Sequence, residues 1–221
     1  MYINVFTRNS FQESGIEVVN IPIEAAQKPM MYSIGIHPWY IDKDNFNKAL
    51  EQFYIISSEK ACVAIGACGL DKSFESNYAE QEKIFFQQIK AANLIKKPLI
   101  LYCFKAWPEV IEMLHKRKNK MPVIILSEYL PDSDDALKAL NNFYVAFDKS
   151  VYFNTPKAIQ WLKHLSSKKI LFYNNDEDLS IKDIYQSAAQ LLKIDLKTLQ
   201  QQVLENFYRA FLLENDPYKI L

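Results

Sequence analysis

IGACGLDK, at Ile65–Lys72, is the stretch from which the fold prediction starts. It follows an apolar run, Ala61–Ile65, that is typical of a buried strand. Gly66 and Gly69 then allow the backbone to turn tightly or to approach a neighbouring segment closely. The pattern predicts a strand that ends before the first glycine and feeds a tight turn. In parallel α/β proteins such strand ends carry the functional groups, yet here the chain offers Ala67.

Short apolar runs of this kind recur along the chain, each rich in β-branched or aromatic residues and bounded by turn-forming residues. The seven runs predict strands at Tyr2–Phe6, Met31–Ile36, Ala61–Ile65, Pro98–Cys103, Pro122–Leu126, Phe143–Phe147 and Lys169–Tyr173. Apolar residues at helical spacing predict helices at Asn45–Ser57, Tyr78–Ile95, Pro108–Lys118, Asp134–Asn141, Pro156–Leu165, Ile181–Leu192 and Leu196–Leu213.

Strand and helix alternate without a flexible linker or a low-complexity tract, which favours parallel strands joined by helical crossovers. We predict one domain over residues 1–221 with a TIM-type (β/α) barrel, irregular or with seven clear strands. A doubly wound sheet is the alternative, but no glycine-rich phosphate-binding motif follows the first strand. The 221 residues are near the lower limit for a (β/α)8 barrel, about 200, so we expect trimmed loops or a missing element.

The composition excludes several classes of protein. Lys plus Arg equal Asp plus Glu at 26 each, so no overall charge would hold the chain on nucleic acid or an anionic membrane. The first residues, MYINVFTRNS, lack a signal-peptide pattern, and no apolar window is long enough to span a membrane. Cys62, Cys68 and Cys103 lie in apolar runs and are interpreted as free thiols. We predict a cytoplasmic protein without a membrane partner.

Several phrases occur in an order and at spacings that are together specific. Three of the four glycines lie in SIGIHPWYID at 33–42 and AIGACGLDK at 64–72. Further matches are Gln81 with Phe85, PLILYCFKA at 98–106, LFYNNDEDLSIKDIY at 171–185, and Asn206 with Phe207 and Arg209. Together they resemble the motifs of the TatD family of metal-dependent hydrolases and deoxyribonucleases, and the resemblance covers nearly the whole chain.

The resemblance implies a TIM-type barrel in which His, Glu and Asp side chains at the strand ends hold one or two divalent cations. Such ions polarise a phosphoryl oxygen and lower the pKa of bound water toward about 7, which makes hydroxide available for phosphodiester hydrolysis.

This chain departs from the family pattern at the positions of the metal ligands. The D-x-H-x-H motif corresponds to Asn4, Phe6 and Arg8, the glutamate of IGE to Ala67, the next two strand-end histidines to Tyr102 and to Leu126 or Ser127, and the aspartate of E-T-D to Asn175. The six expected ligands are the four histidines, the glutamate and the last aspartate, so all six positions are replaced, and Asn4 replaces the aspartate of D-x-H-x-H in addition. We expect no metal, no other cofactor and no catalysis of the family type.

Two residues in the retained phrases stay as catalytic candidates. His37 belongs to the G-x-H-P phrase and Asp71 to the GLD phrase. Alternatively, His37 is a structural histidine hydrogen-bonded under Pro38 and Trp39, and Asp71 anchors a turn.

Arg8 places a permanent positive charge where the family holds cations. With Asn4, His37, Tyr102 and Asn175 it could line a pocket for a phosphate or a carboxylate. Alternatively, Arg8 pairs with a nearby acid and plugs the mouth of the barrel; the candidate acids are Glu128, Asp148, Asp176 and Glu177.

Two functions of different class follow. The favoured one is a catalytically inactive family member that binds a small anion or a protein partner, or acts as a scaffold. The alternative is a divergent hydrolase, a deoxyribonuclease or phosphatase using a divalent cation with His37, Asp71, Asp148 and Asp176. Nucleic-acid binding is not favoured, because the lysine-rich runs precede strands and so fall at the face opposite the usual active face.

Overall fold

Eight parallel strands form one sheet in the computed structural model, which describes residues 1–10, 15–41, 45–74, 77–131, 143–175 and 179–213. Each strand pairs in parallel with the next one along the chain. The strands are β1 (Ile3–Thr7), β2 (Ile16–Ile21), β3 (Tyr32–Ile34), β4 (Cys62–Asp71), β5 (Leu99–Phe104), β6 (Val123–Leu126), β7 (Tyr144–Phe147) and β8 (Ile170–Phe172).

Helices follow most of the strands, as a (β/α) barrel requires. They are α1 (Phe46–Ser57), α2 (Tyr78–Ile95), α3 (Trp107–Lys116), α4 (Lys149–Tyr152), α5 (Pro156–His164), α6 (Ile181–Leu192) and α7 (Leu196–Ala210). Each of the longer helices buries one face; α2, for example, turns Ile84, Phe85 and Ile89 to the interior, as helical spacing of apolar residues demands. Among the described residues no helix is long and apolar enough to cross a membrane.

Side chains close the barrel between its first and last strands. The Asn4 side chain donates to the backbone oxygen of Asn174 at 3.1 Å and accepts from its backbone N–H at 3.0 Å. The Tyr185 hydroxyl from α6 accepts from Ile3 N at 3.2 Å and donates to Ile3 O at 3.1 Å. These bonds replace part of a strand ladder, so the barrel is nearly closed. Asn4, at one of the replaced family positions, is thus a buried residue of this seam.

The prediction of a tight turn at the two glycines is wrong. β4 continues through Gly66 and Gly69 to Asp71, and all ten of its residues are buried. The pairing with β5 shifts between Ile65 and Cys68, which is a β-bulge. Gly66 and Gly69 have φ of +141° and +147°, values that favour glycine. The close approach to a neighbouring segment, the other possibility, is confirmed by the backbone of β5 beside both glycines.

The predicted TIM-type barrel is confirmed, and two expectations about it are corrected. The strand count is eight rather than seven, because β2 was not predicted. The doubly wound alternative is wrong, because the strands follow sequence order from β1 to β8 around the barrel. The seven predicted strands lie close to observed ones. The predicted helix at Asp134–Asn141 falls outside the described residues.

Candidate functional site

A cavity of about 690 Å³ opens at the carboxyl ends of the strands. Every strand of the described sheet contributes to it; β4 and β5 do so through Ala67 and Tyr102 within the strands, and the others at their ends or through the segments that follow. We call this cavity the barrel mouth. It is the place where barrels of this architecture carry their functional groups.

The barrel mouth gathers residues that the sequence analysis matched to the family's metal ligands. The lining includes Phe6, Arg8, Ala67, Tyr102, Leu126 and Asn175. The other candidate at the ambiguous position, Ser127, instead bonds through its hydroxyl to the Asp148 carboxylate at 2.8 Å.

The donor set of the mouth does not fit a divalent cation. The side chains of Phe6, Ala67 and Leu126 have no atom that can coordinate a metal, and Arg8 carries a positive charge. Within the described part of the chain, no group of three or more His, Cys, Asp or Glu side chains is placed to hold a metal ion.

His37 lies in the mouth and caps the short 3-10 turn Pro38–Tyr40. Its Nδ1 accepts from the backbone N–H of Trp39 at 3.2 Å. The imidazole also packs against the ring of Tyr102, with the centroids 4.3 Å apart. The hydrogen bond that was expected of a structural histidine is therefore present, while the ring still faces the cavity. A catalytic role for His37 stays a prediction.

Burial, and after it the positive charge of Arg8, lower the pKa of His37 from 6.5 to about 4, although Asp71 opposes the shift. The imidazole is therefore neutral at pH 7. Because its pKa is lower in the folded chain than in the unfolded one, protonation favours unfolding. The contribution of the neutral His37 side chain to the free energy of unfolding is therefore fully present above about pH 6.5, and it is lost as the pH falls toward 4.

Replacing Arg8 tests this electrostatic coupling. In Arg8→Ala we expect the pKa of His37 to rise, because a cation no longer opposes its protonation. Arg8→Lys is the matched control, since it keeps a charge and should leave the pKa near 4. NMR titration of the imidazole signals measures both. An equal pKa in the wild type and in Arg8→Ala would show that the guanidinium lies too far away to act.

Asp71 forms a compact hydrogen-bonded group beside the mouth, not on its lining. Its Oδ2 accepts from Trp39 Nε1 and from the Tyr102 hydroxyl, each at 2.7 Å. Its Oδ1 accepts from the Ser73 N–H at 2.8 Å and from the Ser73 hydroxyl. The predicted anchoring of a turn is thus confirmed. Burial by itself would raise the pKa of the Asp71 carboxyl, but hydrogen bonds from Ser73, Trp39 and Tyr102 together lower it.

Arg8 is exposed and lines the mouth, and its backbone N–H donates to Asn175 Oδ1 at 2.8 Å. Among the described residues no carboxylate forms an ion pair with its guanidinium. Glu128 and Asp148 line the same cavity, so the expected pairing of Arg8 with either one is not found. The other two candidate acids, Asp176 and Glu177, lie outside the described residues.

Several lining residues were missed by the sequence interpretation. Among them are Asn20 near the end of β2, Tyr40 in the 3-10 turn after β3, and Lys149, Ser150 and Phe153 in or just after α4. Tyr40 and the residues that follow Asp148 could have been found, because they come directly after predicted strands. Asn20 could not be found in this way, because it belongs to the strand that was not predicted.

Comparison with protein families gives a match to the family described as TatD related DNase over residues 11–212. One relative, an uncharacterized metal-dependent hydrolase of Buchnera aphidicola subsp. Baizongia pistaciae (strain Bp), is 28% identical over 198 residues, covering 82% of this chain and 74% of the relative. Another, the 3'-5' ssDNA/RNA exonuclease TatD of Edwardsiella piscicida, is 33% identical over 104 residues, covering 46% of this chain and 39% of the relative. The match to that exonuclease thus spans less than half of its length.

Solved structures with the same fold include the TatD homolog YJJV from Escherichia coli K12. It superposes with a TM-score of 0.77 at 14% identity, covering 96% of this chain and 98% of that one. A TatD family hydrolase from Entamoeba histolytica gives a TM-score of 0.73 at 11% identity, covering 95% and 97%. At these identities the likeness shows the fold alone.

Proposed function

Since this chain belongs to the family of TatD-related DNases, we propose that it is a homologue of these hydrolases without metal-dependent catalysis, and that its barrel mouth binds a small anion. A protein partner on the same face, with the barrel as scaffold, is the other occupant to be tested.

The lining of the mouth is the observation that supports the absence of metal-dependent catalysis. The side chains of Phe6, Ala67 and Leu126 lie in the cavity at matched family positions and offer no donor atom. Disturbing only an outer partner of a metal ligand commonly lowers affinity or activity by about 10–100-fold. Loss of the ligands themselves has a larger effect.

Arg8 supports the proposal that the mouth binds a small anion. Its guanidinium lines a cavity in which His37 is neutral at pH 7. No described carboxylate pairs with it. Arginine binds carboxylate and phosphate groups with two parallel hydrogen bonds, so a guanidinium in this setting favours an anionic ligand.

The alternative, a divergent deoxyribonuclease or phosphatase, has two candidate groups in the mouth, His37 and Asp148. The Asp148 carboxylate already accepts from the Ser127 hydroxyl at 2.8 Å and from the Ser150 N–H at 3.1 Å. Asp71 is fully occupied by four donors. These bonds favour structural roles for both carboxylates.

The test combines metal binding with hydrolysis. We expect calorimetric titration of metal-stripped protein with Mn²⁺ and Zn²⁺ to give no stoichiometric binding. We also expect no hydrolysis of bis(p-nitrophenyl) phosphate or a single-stranded oligonucleotide above the rate of a His37→Ala, Asp148→Ala control prepared identically. Stoichiometric binding, or a metal-dependent rate that disappears in the double variant, would establish the divergent hydrolase instead.

A further inference from the structure

We propose that the ligand of the barrel mouth is an aromatic carboxylate, held with its charged group on Arg8 and its ring between Tyr40 and Phe153. The inference rests on the proposed function, whose anionic ligand it narrows to one chemical class. Three observations support it independently: the charges of the side chains that line the mouth, the apolar side chains of its wall, and the positions of two exposed aromatic rings.

The charges around the mouth favour an anion with a single negative charge. Among the described residues of the lining, Arg8 and Lys149 bring two positive charges, and Glu128 and Asp148 bring two negative ones. His37 adds none at pH 7, because its pKa is about 4. A ligand with one carboxylate can pair with Arg8, whereas a phosphate monoester would bring a second negative charge into a cavity that already contains two carboxylates.

The apolar side chains in the wall of the cavity favour a ligand whose uncharged part is apolar. Phe6, Ala67 and Leu126 line the mouth where the family carries polar ligands. The ring of Phe6 packs edge-on against Tyr173, with centroids 6.1 Å apart, which holds it in place. A cavity of about 690 Å³ is within the range of about 300–1,000 Å³ that is usual for small-molecule sites.

Two exposed aromatic rings indicate where a planar group would bind. Tyr40 follows β3 and is 72% exposed, and Phe153 follows β7 and is 64% exposed; both line the mouth. Because β3 and β7 are separated by half of the eight-stranded barrel, the two rings come from opposite sides of the opening. A planar ring between them would remove apolar surface of both from water and could stack on either one.

Calorimetric titration with a matched pair of acids, phenylacetate and cyclohexylacetate, tests the inference. Both carry one carboxylate, and only the first has a planar ring. We expect phenylacetate to bind one-to-one and at least about fivefold more tightly than cyclohexylacetate. Arg8→Ala should weaken phenylacetate at least about tenfold, and Phe153→Ala about fivefold. Arg117→Ala is the matched control, because it removes the same charge at the carboxyl end of α3, away from the mouth, and should leave the affinity unchanged.

Other outcomes separate this inference from the proposed function. If phenyl phosphate or acetate binds in an Arg8-dependent way but phenylacetate does not, the aromatic carboxylate is wrong and an anion-binding mouth remains. If cyclohexylacetate binds as tightly as phenylacetate, the stacking between Tyr40 and Phe153 is wrong. If no anion binds, or if binding is equal in wild type and Arg8→Ala, then the inference and the anion-binding half of the proposed function both fall.

Discussion

Gly69→Ala is expected to prevent stable folding of the barrel. A Cβ at this position would lie 1.8 Å from the carbonyl oxygen of Tyr102 and 3.0 Å from its carbonyl carbon. Both are backbone atoms of β5, and Gly69 pairs directly with Tyr102 in the sheet, so neither strand can move aside without losing the ladder. The φ of +147° adds strain for any residue with a side chain. The combined cost exceeds about 3 kcal/mol, a large part of the 5–15 kcal/mol that stabilises a typical domain.

Urea unfolding followed by circular dichroism measures this effect. We expect Gly69→Ala to be recovered largely unfolded or with a much lower unfolding midpoint than wild type. Gly15→Ala is the control, because the described atoms nearest to its Cβ all belong to the side chain of Met1, a residue that is 53% exposed and whose side chain can rotate away. A Gly69→Ala midpoint equal to that of Gly15→Ala would mean that β4 and β5 can separate locally at no cost.

The sequence predicted seven of the strands because each of those is a continuous apolar run. The run of β2 is broken by polar residues, Glu17 and Asn20, and so it was overlooked. The polar side chain of Asn20 has a role in the sheet: its amide donates to the hydroxyl of Ser33 at 3.0 Å and to the carbonyl oxygen of Gly66. A contact of this kind, 46 residues away along the chain, has no signature in the local pattern.

The length of β4 could not be predicted for a related reason. A glycine between apolar residues is compatible both with a turn and with a bulge inside a strand. The choice depends on what lies beside it, here the carbonyl oxygens of Ile100 and Tyr102. Those atoms belong to the next strand, so only the assembled sheet distinguishes the two conformations.

The residues that the resemblance matched to the family's metal ligands, namely Phe6, Arg8, Ala67, Tyr102, Leu126 and Asn175, do meet in one cavity. The ligand that this cavity binds was not predictable. Tyr102 lies in the lining, yet its hydroxyl donates a hydrogen bond to Asp71. This bond connects Tyr102, which stands where a family histidine was expected, to Asp71 of the retained GLD phrase. Tyr40 and Phe153 enter the mouth from loops whose conformation depends on tertiary packing. The sequence therefore located the site but did not indicate the chemistry of its ligand.

Asp71→Ala is expected to destabilise the protein by about 3 kcal/mol at pH 7. The Asp71 side chain accepts from Trp39 Nε1 and the Tyr102 hydroxyl, and the residue is only 1% exposed. Its removal leaves the buried Tyr102 hydroxyl without its acceptor, which costs about 1–3 kcal/mol, while the lost bond from Trp39, which is 44% exposed, adds a smaller cost because its N–H can bind water. Glu112→Ala is the control, since the Glu112 side chain is 60% exposed and forms an i,i+4 ion pair with Lys116; its cost should stay below about 0.5 kcal/mol.

The same substitution should change how stability depends on pH. Because the pKa of Asp71 is lower in the folded chain than its ordinary value of 3.8, the carboxylate stabilises the fold fully above that value. This contribution is lost as the pH falls below about 4 and protons bind. The gap in urea midpoint between wild type and Asp71→Ala should therefore be smaller at pH 3 than at pH 7. A gap of equal size at both values would mean that the ionised carboxylate adds nothing beyond its shape, and that the hydrogen bonds from Trp39 and Tyr102 do not depend on its charge.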